Sequence, residues 1–156
     1  MKKVVFIIAL VAFSSSLMAQ SSQEEVDMLQ SVFGMEKKAI VAEFVTVEGA
    51  QADAFWTLYD EYEVKRKELG QRRVALLESY AKTYGSMHDA STEVMLKEMM
   101  ALQSSSDKLI STYAKKIKSK VNVKAAAQFF QIEGYVLSKI RVKILENIPV
   151  IGSMQK

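Results

Sequence analysis

The sequence predicts an all-α fold, and three observations carry that reading. One proline and six glycines occur in 156 residues, so the punctuation that strands and hairpin turns need is missing. Apolar side chains recur at steps of three and four, the spacing of one helix face. Charged residues make up 25% of the chain, which is enough to solvate the opposite faces of long helices.

In chain order, the first element is an address label. Lys2 and Lys3 precede the apolar run at 4–13, and three serines and Leu17-Met18-Ala19 follow. This is the layout of a cleaved secretory signal peptide. The run is shorter than the roughly 20 residues a membrane-spanning helix takes. Residues 1–19 are therefore expected to be removed, leaving a single domain, 20–156, in the periplasm. Removal takes two lysines and no acids, so the excess of 21 basic over 18 acidic residues almost vanishes. A nucleic-acid binder would need a concentrated positive surface, so nucleic acid is not an expected partner. The chain has no cysteine; disulfides and a lipid-anchored cysteine are excluded.

Four helices are expected, at about 22–44, 48–84, 90–120 and 123–146. Thr46 and Glu48-Gly49 break the first apolar pattern. Gly85 is placed to end the second helix as a left-handed C-terminal cap. Asp89, Ser91 and Thr92 offer capping oxygens to the third helix and Asn122 to the fourth, and Pro149 ends the fourth. In the second helix Phe55, Tyr59, Tyr62, Arg66, Leu69, Arg73, Leu76 and Tyr80 fall on one stripe. Arg66 and Arg73 have two readings. Either they reach past the core edge to water, or they belong to a mixed aromatic, aliphatic and basic surface for variable protein clients. The client-binding candidates are then Phe55, Tyr59, Tyr62, Arg66, Leu69 and Arg73.

The third helix has Met95, Met99, Leu102, Leu109, Tyr113 and Ile117 at helical spacing. The fourth carries Phe129, Phe130, Val136, Leu137, Ile140, Ile144 and Leu145, a wider apolar arc and so the most buried element. Short connections favour antiparallel neighbours. Elongated helical hairpins forming a cradle follow, with a homodimer to complete burial.

Two segments carry a family resemblance. FWTLYDEYEVKRKEL (55–69) resembles the FWxxYxEYxxxRxxL stretch of the Spy/CpxP-like periplasmic stress proteins, the LTxxQ-motif family. It is closest to the variant described as a sensor of an ECF-type sigma factor. VNVKAAAQFFQIEGYV (121–136) resembles that family's second element, and the terminal NIPVI (147–151) also suits it. The motif residues are Thr46, Phe55, Trp56, Tyr59, Tyr62, Asn122, Phe129 and Phe130. Gly49 stands at the first glutamine position and Ala125 ends the second element, so neither copy is a strict LTxxQ. The resemblance implies a dimeric helical cradle. Its relatives include an ATP-independent chaperone, an inhibitor of an envelope-stress kinase and a zinc-responsive member.

Catalytic chemistry has little support. His88 is the only histidine, no phosphate-binding glycine loop occurs, and Asp60, Glu61 and Glu63 read as a solvated face. Met87-His88-Asp89, with Met95, Met99 and Met100, has the thioether and imidazole donors that copper(I) takes. Methionines filling core gaps are the preferred reading. No enzyme activity, cofactor or metal is expected. The function expected is a chaperone for unfolded or envelope proteins in the envelope stress response. The alternative is a regulatory stress or metal sensor acting on one membrane-bound partner.

Overall fold

A computed structural model describes residues 37–147. The leader at 1–19, the first part of the helix expected over 22–44, and Pro149 lie outside the described residues. Among these, four α-helices follow one another, α1 (Lys37–Phe44), α2 (Ala50–Thr83), α3 (Asp89–Lys120) and α4 (Val123–Asn147), with a 3-10 turn at Tyr84–Ser86. No strand occurs among the described residues, and none of their helices is long and apolar enough to cross a membrane.

The breaks have local causes, and two differ from expectation. Residues 45–49 leave helical geometry, and Gly49 has φ 55° and ψ −138°. That is the mirror image of the polyproline region, which L side chains avoid. Gly85 does not end α2 in a left-handed cap, since Gly49 is the only described residue with positive φ. The chain instead tightens into the 3-10 turn. Of the oxygens expected to cap α3, only that of Ser91 takes part in its capping box, and the N-cap residue itself is none of Asp89, Ser91 and Thr92. His88 is its N-cap: its Nδ1 accepts from the Ser91 N–H (3.4 Å) while Ser91 Oγ accepts from the His88 N–H (3.1 Å). This is a capping box with imidazole in the place usually held by a hydroxyl. Asn122 does cap α4, its Oδ1 accepting from the Ala125 N–H at 2.7 Å.

At 1.5 Å per residue the 34 residues of α2 extend for roughly 50 Å. Paired residues on α2 and α3 rise in number on one and fall on the other: Tyr62 meets Tyr113, Arg73 donates to Ser106. The two helices are therefore antiparallel. The core lies where α1, the first half of α2, the second half of α3 and α4 converge. It holds Val41, Phe55, Tyr59, Tyr62, Ile110, Tyr113, Ile117, Phe129, Ile132 and Val136.

The methionine and α4 expectations are corrected in part. Met99 and Met100 face solvent and fill no core gap. In α4, Phe129, Val136 and Ile140 are buried, but Phe130 and Leu145 are exposed. The α4 arc is wider than the space between α2 and α3 can accept.

Candidate functional site

The sequence singles out α2's stripe, and the structure turns it inward. Phe55 and Tyr59 are 0% exposed and Tyr62 2%, so these three present no surface to a client in this conformation. Arg66 and Arg73 do not simply reach to water either. The Arg66 side chain is 16% exposed and its Nε donates to Glu63 Oε1 at 2.8 Å. Arg73 donates to Ser106 Oγ at 3.2 Å. Leu69, Arg66 and Arg73 line a small cavity of about 50 Å³ between α2, α3 and α4.

Beside that stripe lies a buried ion network that sequence reasoning missed. Lys37 Nζ donates to Glu133 Oε1 (2.7 Å), to Glu63 Oε1 and to the Tyr59 phenol oxygen (3.2 Å). Tyr62 O–H donates to the other Glu133 oxygen at 2.6 Å. The side chains of Lys37 and Glu133 are only 5% and 2% exposed. Two cations and two carboxylates cancel, and no buried side-chain nitrogen or oxygen among the described residues lacks a partner. Such a network is tolerable in a low-dielectric core only when fully satisfied.

The electrostatics follow from the geometry. Burial pushes the Glu63 carboxyl up, but the ammonium of Lys37 and the guanidinium of Arg66 outweigh it, leaving Glu63 below the usual carboxylate range. Burial, then the charges of Glu63 and Glu133, drive the Tyr59 phenol far above its ordinary value. Burial and Glu133 do the same to Tyr62, which stays a proton donor. Glu63 is thus not part of a solvated acidic face. Asp60 and Glu61 are, pairing with Lys38 and Lys116 at the rim.

The two motif-like segments touch each other. The Thr46 N–H donates to Gln128 Oε1 and Gln128 Nε2 to Thr46 Oγ1, both at 3.4 Å. Asn122 Nδ2 donates to Gln51 Oε1 at 2.8 Å. Phe129 stands edge-on to Tyr59 and Tyr62, and Trp56 edge-on to Phe55 and Tyr59. Phe130, on the far side of α4, joins none of these contacts and faces solvent.

A second feature is a surface groove of about 290 Å³ between α2, α3 and the end of α4. Leu76, Leu77, Leu96, Met99, Met100 and Leu145 line it, with Arg73, Gln103 and Arg141 among the polar residues there. Leu96 and Met100 are 53% and 65% exposed. His88 and Met95 share a separate hollow near the α2–α3 turn. No group of three His, Cys, Asp or Glu side chains that could hold a metal ion occurs among the described residues. A signal for the missed network exists in hindsight: Glu133 sits four residues after Phe129 and three before Val136, an acid inside an apolar stripe. No protein-family description, curated protein or solved structure matches this chain.

Proposed function

We propose that this chain is a chaperone-like periplasmic protein, exported by its cleaved leader, that binds apolar segments of unfolded proteins along its helix faces. The observation that carries this reading is the exposed strip Leu96, Met99 and Met100 on α3, facing Leu76, Leu77 and Leu145 across an open groove. Contiguous apolar surface of this kind marks an interaction site. Methionine adapts to many shapes because it is unbranched and polarizable, which suits clients of varied sequence. The resemblance to the Spy/CpxP-like proteins points the same way, toward elongated hairpins and a cradle completed by a second copy.

The test is suppression of aggregation for several unrelated unfolding proteins, by the native chain and by a Leu96→Ser, Met100→Ser variant. The variant should lose capture several-fold while its denaturant midpoint barely moves, because both side chains are already hydrated. Equal capture by both would sink the groove reading. Binding to one folded membrane partner, with no effect on unfolded clients, would favour the regulatory sensor instead.

A further inference from the structure

The near balance of charge over the whole chain hides an uneven distribution. Between Asp107 and Glu133 stand six lysines, Lys108, Lys115, Lys116, Lys118, Lys120 and Lys124, and no acidic residue or arginine. This stretch covers the later part of α3, the junction at 121–122 and the first part of α4. All six lysines are exposed. Lys116 pairs with Glu61 of α2 at 3.7 Å, which bounds the basic surface on that side. The other five make no ion pair among the described residues.

Two exposed apolar side chains of α4 adjoin these lysines. Val123 and Phe130 are 64% and 51% exposed, and a spacing of seven residues puts them on one helix face. The register of α3 against α4 places Phe130. The tight junction turns α4 back along α3, and Asp107 meets Arg141 across the two helices at 3.2 Å. Eleven residues toward the junction from each of these stand Lys118 and Phe130. That step is about three full turns, so Lys118 and Phe130 lie on the same facing sides as the Asp107–Arg141 pair.

We propose that this basic, acid-free surface docks the protein on an anionic lipid bilayer, the lysine ammoniums meeting headgroup phosphates and Phe130 and Val123 entering the headgroup–acyl boundary. Lysines are flexible point charges, which suits a fluid array of phosphates; a fixed nucleic-acid backbone is better matched by the planar fork of arginine, which is absent here. Exposed apolar side chains among the lysines add the insertion that a bilayer offers and a purely electrostatic partner does not. The client groove opens toward the α2–α3 turn, away from the junction, so docking leaves it free. The inference does not rest on the client-binding reading and adds a membrane-facing side to the molecule.

The test is co-sedimentation of the chain as exported, 20–156, with vesicles of phosphatidylcholine alone or with about one-third phosphatidylglycerol. Binding is expected to the anionic vesicles only. It should fall by roughly tenfold or more between about 0.1 M and 1 M salt, as the Debye length shortens from about 10 Å to 3 Å. Lys115→Glu with Lys118→Glu should weaken binding by roughly tenfold or more with little change in the circular-dichroism melt, because neither lysine has an ion pair to lose among the described residues. Lys118 lies in the last turn of α3, where an added acid opposes the helix dipole. Lys115→Gln with Lys118→Gln avoids that effect and should show a smaller loss in the same direction. Reversing two exposed lysines outside the surface, Lys67→Glu with Lys82→Glu, should change binding by no more than about twofold. Phe130→Ser should weaken binding several-fold and leave its salt dependence unaltered, since apolar insertion is not screened.

Equal binding to neutral vesicles, or equal losses from the two charge reversals, would overturn the docking surface. So would vesicle binding indifferent to Phe130→Ser together with tighter binding of a DNA duplex, the pattern of a polyanion site. Suppression of aggregation by the Lys115→Glu, Lys118→Glu variant should match that of the native chain, so failure of docking and failure of the client groove are read separately.

Discussion

Single residues in this protein differ most in how far their partners compensate them. Glu133 is buried, but Lys37 and Tyr62 occupy both of its oxygens. Glu133→Ala would take one of two carboxylate partners from the buried Lys37 ammonium and leave the Tyr62 hydroxyl unpaired, and a loss of about 3 kcal/mol is expected from urea melts at pH 7. Arg66 and Arg73 are the contrary case to their sequence reading. As rim charges they would tolerate reversal. With Arg66 bonded to Glu63 in a largely buried site, Arg66→Glu with Arg73→Glu places a second carboxylate beside Glu63. That double variant should unfold, or lose most of its thermal transition, when checked by circular dichroism; a native melt would show that the arginines are dispensable to the fold. His88 is a milder case. His88→Ala removes the side-chain half of a capping box, which costs on the order of 0.5–1 kcal/mol, and His88→Asn should restore it.

At the scale of elements, the helices are specified locally and joined by connections of very different chemistry. Lys82 in the last turn of α2 and Lys118 and Lys120 in that of α3 complement the helix dipoles. The α3–α4 junction is tight and polar: Val121 closes one helix on Ile117 and Asn122 opens the next. The α1–α2 junction depends on Gly49. An added Cβ there would meet nothing within 4 Å, so its cost would be conformational alone. Gly49→Ala should destabilise the fold by about 1–3 kcal/mol. The same change at Gly134, in mid-helix with open space around it, should stabilise it by a few tenths to about 1 kcal/mol. Denaturant midpoints of the two variants, moving in opposite directions, would check this contrast.

Across the whole molecule the core is unevenly distributed. The end built from α1, α4 and parts of α2 and α3 holds the aromatic cluster and the ion network. Toward the α2–α3 turn apolar side chains are left at the surface, including Val94, Leu96, Met99 and Met100. That asymmetry underlies the proposed division into a stable base and a sticky groove. Native-state hydrogen exchange should therefore show stronger protection for amides around Tyr59, Tyr113 and Phe129 than for those around Leu77 and Met99. Uniform protection along α2 and α3 would argue against the division.

Among the described residues, helix type and most boundaries were legible in the sequence, because periodicity, glycine placement and capping chemistry act over a few residues. The stripe from Phe55 to Tyr80 was legible too, since a helix fixes which side chains share a face. What that stripe faces was not. A chain of aromatics at steps of four and three can line a cradle or a core, and only the arrival of α1 and α4 makes it the latter. The same holds for the acids of α2. Asp60, Glu61 and Glu63 are equivalent by composition, yet one is turned inward because Lys37 and Arg66 lie where it points. The Lys37–Glu133 pair joins residues 96 positions apart. The energy of such a pair depends on distance and on the dielectric around it, and both are set by the packing of α1 against α4, which no local pattern encodes.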